Sequence, residues 1–366
     1  MPEIFSWKAS SEWVRHSDPG PTVPDIDALE SAFESCTVEV AFCLESDECG
    51  GQQRSQMTFP EFATIWRTNP SAGVYMKDFH LCIAGQSSAY ETPPLFADDW
   101  LNSYTAASQS KGEDDFRFVY LGQSGTTTNF HRDVYASHSW SCSLAGIKRW
   151  RFVPPELAHL VRDSKTGDMP AELFGEGVER DYPNIGKARD AVLTVWQYPG
   201  ESVFVPSGWL HEVKNFGETL SINHNWANAS CLSRMSAALS EEVRLGELAL
   251  EGFDLGSSSE VSVLVQDLTL RNFGWSWKEY FEMIRWRYLV PRSMNGESTS
   301  RWTEAVDDLR PPWEVEKSIV AKVVTDWLDG DAGEHLPEVT KIAEEILTLL
   351  GEGEAVAPDG NDTWRP

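Results

Sequence analysis

Short runs of alternating apolar and polar residues fill the middle of the chain. FRFVYLG from Phe116, the segment around His131, KRWRFVPP from Lys148, VLTVWQYPG from Val192, SVFVP from Ser202, WLHEVKN from Trp209 and TLSINHNW from Thr219 each read as a strand of period two. Between them stand turn signals. Tyr198-Pro199-Gly200-Glu201 has Pro and Gly where a type II turn wants them, and Pro206-Ser207-Gly208 offers another tight corner. Many short strands so punctuated predict a sandwich, jelly roll or barrel. A helical stretch from Glu156 to Arg162 and a polar insertion to Arg189 interrupt the series.

Upstream the pattern is mixed. A breaker-rich lead-in to Pro24 precedes a short helix at Asp27 to Phe33 and a strand in CTVEVAFCL, and the polar stretch Glu45 to Gln56 reads as loop. Thr58-Phe59-Pro60-Glu61 has capping-box spacing with Pro in the first turn, so a helix should run through Phe62 and Trp66. A strand follows at Gly73 to Leu81 and a short helix from Asp98. Past Trp226 the period becomes helical, over Ser230 to Leu250, Trp275 to Tyr288, Trp313 to Trp327 and Pro337 to Leu350. These boundaries give a lead-in over 1–72 that packs on the barrel, a β domain over 73–230 and a helical region over 231–350. The tail, 351–366, is expected to be disordered.

Composition narrows the function. A net charge of -27 argues against binding nucleic acid through a basic surface. It suits a basic protein partner, or simply solubility. The six cysteines form no CxxC pair, and reduced thiols are the simpler reading. The N-terminus lacks the apolar core of a signal peptide and no run approaches a membrane span, so the expected location is the cytoplasm, with the nucleus as a second possibility.

Chemistry concentrates at three residues. His131 and Asp133 are spaced i, i+2, so on an extended strand both leave the same face. His211, on a later strand just after the Pro-Ser-Gly corner, would supply a third ligand if the two strands are neighbours. Two imidazoles and one carboxylate leave open positions opposite, the facial arrangement of non-haem Fe(II) oxygenases. An HxD tripeptide alone is weak evidence, since chance gives roughly half a match per chain. Lys148 shares a strand face with Trp150 and Phe152, and a buried ammonium needs an anion, such as a dicarboxylate cosubstrate; the alternative is snorkelling to solvent. Ser221, Asn223 and Asn225 form a polar row that lines either a cavity or a solvated outer face.

The order HRD, then GIK, then PSGWLH, then SINHNW resembles the Jumonji C family of Fe(II)- and 2-oxoglutarate-dependent oxygenases, specifically over about residues 73 to 230. HRDVYASHSWS, GIKRW, FVPSGWLHEV and SINHNW are similar to the Jumonji domain-containing protein 4 group within it, described as lysyl hydroxylases of the peptide-chain release factor. The resemblance implies a double-stranded β-helix, a jelly-roll or cupin-like barrel, with N-terminal α/β elements and a C-terminal helical region. It implies Fe(II), 2-oxoglutarate and O2 as cofactor and cosubstrates, with His131, Asp133 and His211 as metal ligands. Lys148, Thr128, Tyr75 and Asn223 would hold 2-oxoglutarate. Relatives often carry Asn where this chain has Ser141, which puts one polar contact in doubt. The implied activity is hydroxylation of a protein side chain, a lysine of the translation release factor; N-methyl-lysine demethylation and an inactive cupin-like binding module are the alternatives. For a lysine substrate, Asp78 and Glu201 are candidate counter-charges, each better read as a solvated surface carboxylate. A homodimer through the C-terminal helices is the further partner expectation.

Overall fold

The computed structural model describes residues 3–6, 12–16, 20–46, 51–81, 85, 89–108, 115–163, 166–253, 256–289 and 309–355. Their contacts divide into two units, one of 1–91, 111–133 and 138–225, the other of 92–110, 134–137 and 226–366.

The first unit is a jelly roll with helical additions. Its strands are β1 (Glu3–Ser6), the small ribbon β2 (Val14–His16) and β3 (Thr22–Pro24), β4 (Thr37–Ser46), β5 (Gln52–Thr58), β6 (Val74–His80), β7 (Arg117–Gly122), β8 (Thr127–Arg132), β9 (His138–Val153), β10 (Leu193–Gln197), β11 (Glu201–Val205) and β12 (Leu210–Trp226), whose last residue begins the second unit. Hydrogen-bonded neighbours run β1-β11-β9-β12-β7-β6-β4-β5, with β10 on β9 and β8 on β12; the pairs β1/β11, β11/β9, β10/β9, β12/β7, β12/β8, β7/β6, β6/β4 and β4/β5 are antiparallel. Both corners predicted from Pro and Gly form: Glu201 N–H donates to Tyr198 O with Gly200 at φ 86, and Trp209 N–H to Pro206 O with Gly208 at φ 75. Positive φ is what glycine admits without strain.

Helices α1 (Ile26–Phe33) and α2 (Phe59–Thr68) bury Leu29, Phe33, Phe59 and Phe62. The capping box at Thr58 and Glu61 forms in both directions. The insertion after β9 supplies three one-turn helices, α4 (Ala158–Val161), α5 (Val178–Asp181) and α6 (Ile185–Ala188). Its Val161, Leu173, Ile185 and Ala188 bury Phe130 of β8, Val153 of β9 and Leu210 of β12 in one cluster, so the polar insertion covers the strands that carry the histidines.

The second unit holds α3 (Trp100–Ser108), α7 (Leu232–Leu250), α8 (Ser258–Phe273), α9 (Trp277–Leu289), α10 (Trp313–Leu328) and α11 (Pro337–Ala355). Helix α9 buries Trp277, Tyr280, Phe281, Ile284 and Tyr288, and Trp327 of α10 packs on Trp277 and Phe281. Lys278 pairs with Glu338 and Arg285 with Glu345, the same seven-residue step on both chains, so α9 and α11 run parallel. The apolar stripes of these helices thus find partners in one another.

Four expectations need correction. Glu45 to Gln56 is not all loop: β5 pairs with β4 from Thr58↔Thr37 to Gln53↔Phe42. It is an edge strand exposed along most of its length, and polar composition cannot separate such a strand from a loop. WLHEVKN and TLSINHNW are one strand, β12, passing through Gly217 at φ 75. Helix α8 was not anticipated, although Ser257 and Glu260 make a capping box, because its apolar stripe is weak and only Val265 and Thr269 are buried. Helix α11 continues to Ala355, so residues 351–355 of the tail expected to be disordered, 351–366, are helical, and 356–366 lie outside the described residues. Cys36, Cys43, Cys142 and Cys231 are free thiols, and Cys49 and Cys82 lie outside the described residues. Among the described residues no helix is long and apolar enough to cross a membrane.

Candidate metal centre

Strand pairing builds the site. β8 and β12 are antiparallel neighbours, and the register sets His211 directly opposite His131, with ring centroids 4.3 Å apart. β12 bulges immediately after His211, between that residue and Val213. Asp133 follows the last residue of β8, and the chain then turns sharply, Tyr135 and Ala136 both taking left-handed φ. The carboxylate Oδ1 of Asp133 lies 4.0 Å from Nε2 of His131, and one donor atom from each of the three side chains falls within 4.8 Å of the others.

The donor set fits a metal ion atom by atom. His131 Nδ1 lies 2.8 Å from Asn129 O, and His211 Nδ1 3.3 Å from Trp209 O. A carbonyl only accepts, so each Nδ1 carries a proton, and in the neutral ring the lone pair is left on Nε2. Ser139 Oγ donates to Asp133 Oδ2 at 2.7 Å, leaving Oδ1 for the ion. Such outer hydrogen bonds orient ligands in metal sites generally. Cis donors at about 2.1 Å from a metal would sit about 3 Å apart, so binding needs only a small contraction. His211 is 3% exposed, against Trp150 and Phe152. Burial first, then the neighbouring His131, push its pKa down to about 4, so it stays in the neutral, ligating form.

The other expected residues form a second group. Lys148 is 2% exposed, so it does not snorkel. Its ammonium lies 3.5 Å from Tyr75 Oη and over the Tyr120 ring, with no carboxylate at ion-pair distance among the described residues. Burial first, then the positive charge of Lys77, push its pKa down to about 7. Tyr75, also buried, shares hydrogen bonds with Thr128 and Asn215, and burial raises its pKa to about 12, so it remains a neutral phenol able to donate. Tyr75, Thr128 and Lys148 therefore converge. Asn223 is held by other partners: its Oδ1 accepts from Ser141 at 2.8 Å and Ser221 at 3.2 Å, leaving its NH2 for a ligand. Ser141, the residue placed in doubt, is thus the partner of Asn223. The polar row is no solvated face, since Ser221 and Asn225 are buried.

A cavity of about 570 Å³ opens beside the centre, lined among others by Gln52, Arg54, Lys77, Asp78, Thr128 and His131. Asp78 stands at its mouth with φ 52, accepting from Tyr120 Oη. Glu201 does not reach it; that carboxylate accepts from Tyr198 N–H in its own turn. Lys77, Ser139 and Asn215 were missed. Lys77 alone had a signal, two residues from Tyr75 on one strand face; the other two depend on which strands are neighbours.

A family model for the cupin-like domain matches residues 44–230. The chain is 35% identical over 325 residues to JmjC domain-containing protein 1 of Schizosaccharomyces pombe, covering 82% of this chain and 68% of that protein. It is 38% identical over 247 residues to the arginine-specific demethylase JMJ20 of Arabidopsis thaliana, covering 62% and 51%. It is 35% identical over 259 residues to the 2-oxoglutarate and iron-dependent oxygenase JMJD4 of Gallus gallus, covering 66% and 59%. The chain thus spans about half to two thirds of the length of these relatives. With half of its length inside the domain model and this likeness to full-length relatives, the chain belongs to the cupin-like, JmjC-domain family.

Proposed function

We propose that this protein is an Fe(II)- and 2-oxoglutarate-dependent oxygenase that hydroxylates a protein side chain, with a lysine of the translation release factor as its substrate. The observation that carries the oxygenase reading is the cross-strand pair His131 and His211, completed by Asp133, beside a buried Lys148 that no carboxylate among the described residues neutralises. Relatives named as 2-oxoglutarate and iron-dependent oxygenases support it.

His131 Nε2, His211 Nε2 and Asp133 Oδ1 would hold the iron, which when bound with a 2-oxo acid and O2 supplies the oxidising power for oxygen insertion into a C–H bond. Lys148 would pair with the distal carboxylate of 2-oxoglutarate, with the hydroxyls of Tyr75 and Thr128 donating to it. Burial and the charge of Lys77 depress the Lys148 ammonium pKa, and an arriving carboxylate would restore its charge. Trp150, Phe152 and Trp209 keep water from the back of His211, which strengthens every charge interaction in the site.

Two relatives carry demethylase in their names, JMJ20 and the bifunctional arginine demethylase and lysyl-hydroxylase psr-1 of Caenorhabditis briggsae, so demethylation is the second reading. Incubation of methylated and unmethylated release-factor peptides with Fe(II), 2-oxoglutarate and O2 separates the two. The expected result is succinate together with a gain of one oxygen in peptide mass, both lost in His131→Ala and Asp133→Ala. Formaldehyde without a stable oxygen gain would establish demethylation instead, and no succinate above background would leave a binding module.

A further inference from the structure

Lys77 is a buried cation that the proposed reaction does not use. It stands two residues beyond Tyr75 on β6, is 3% exposed, and lines the cavity beside Thr128 and His131. Its ammonium donates to Gln52 Oε1 and to Thr127 O at 2.9 Å, and it lies 4.9 Å from the centroid of the Tyr75 ring. The Lys148 ammonium lies 5.9 Å from that same ring. Neither amine has a carboxylate at ion-pair distance among the described residues; the carboxylates of Glu39 and Asp78, farther out, face Arg54. The chain has 57 acidic side chains against 30 lysines and arginines, yet two buried amines flank one tyrosine with no acid paired to either among the described residues.

Buried like charges side by side are costly, and the neutral contacts of Lys77 account for its hydrogen bonds but not for its charge. An amide side chain could pin β5 to Thr127 equally well. A fixed positive charge beside a low-dielectric cavity focuses field into it, and in a protein of net charge -27 an approaching dianion is otherwise repelled. Static balance does not require a second amine, because the distal carboxylate is matched by Lys148 and the other end by the metal. What a second cation on the wall adds is attraction during entry and a stronger hold at longer range.

We infer that Lys77 is a second anion-recruiting residue of the cosubstrate site, drawing the 2-oxoglutarate dianion along the cavity wall towards Lys148. The inference rests on the oxygenase reading. It assigns Lys77 to the cosubstrate and not to an acidic side chain of the peptide, because the amine sits against the ring and threonine segment that hold the cosubstrate, inward of the exposed Arg54 and Asp78.

Calorimetric titration of the Mn(II)-loaded, full-length protein with 2-oxoglutarate at low and at physiological ionic strength tests it. Lys77→Gln should weaken affinity by about tenfold at low salt and flatten the salt dependence, while Lys77→Arg keeps both. The KM for the peptide should not move, and thermal stability should not fall. A purely structural lysine would show the opposite, lower stability with an unchanged salt slope. Should Lys77→Gln fail to fold, Lys77→Met, which keeps the buried stem without the charge, carries the same comparison. Affinity within twofold of wild type with the same salt slope overturns the inference alone, as does a rise confined to the peptide KM. A wild-type protein that binds no 2-oxoglutarate overturns the oxygenase reading and takes this inference with it.

Discussion

Each ligand of the proposed centre is prepared by one hydrogen bond on its far side. Asn129 O and Trp209 O fix the tautomers of His131 and His211, and Ser139 Oγ takes one oxygen of Asp133 so that the other faces inward. Ser139→Ala leaves the three ligands in place but frees the carboxylate to rotate. Metal affinity should fall about 10- to 100-fold with little change in thermal midpoint, as read by competition with a chelating dye. Lys148 gives a prediction of opposite character. Its pKa of about 7 in the folded protein lies far below that of an exposed lysine, so between those values the unfolded chain binds the extra proton. The apo protein should therefore gain stability as pH rises from about 7 towards 10, by at most about 1.4 kcal/mol per pH unit from this group. Lys148→Met should remove that part of the slope, raise stability near neutral pH, and abolish 2-oxoglutarate binding; an unchanged slope in urea melts across that range would contradict the burial account.

Much of this was legible at the level of elements. Alternation in KRWRFVPP put Lys148 beside two aromatic residues, and the structure buries it there against Tyr75. The i, i+2 spacing of His131 and Asp133 and the corner before His211 named three candidate ligands, and the structure brings them together. Which strands are neighbours was not legible, because β8 meets β12 across about eighty residues of chain and no local pattern encodes a register. Ser139 and Asn215 owe their places to such non-local pairing, whereas Lys77 shares a face of β6 with Tyr75 and could be read from the sequence. β5 was hidden for another reason: a solvent-facing edge needs no apolar face, yet it brings Gln52 and Arg54 to the cavity. Gly146 shows how tightly the elements constrain one another. It lies two residues before Lys148 at φ 71, and a Cβ there would stand 2.4 Å from Glu218 O. Gly146→Ala faces backbone with nowhere to move, so a loss of about 2 kcal/mol or more is expected in denaturant unfolding, with weaker 2-oxoglutarate binding as Lys148 shifts.

At the scale of the molecule, a jelly roll carries the proposed ligands and cosubstrate residues, and a helical unit is formed by the chain from 226 onward together with 92–110 and 134–137. The central claim is that three side chains delivered by β8 and β12 bind one metal ion. Anaerobic calorimetric titration of the apo protein with Fe(II) tests it most directly. The account predicts saturable binding of one ion per chain, lost in Asp133→Ala and in His211→Ala while both variants stay folded. Binding that persists at the same stoichiometry in those variants, or no saturable binding to the wild-type protein, would contradict it.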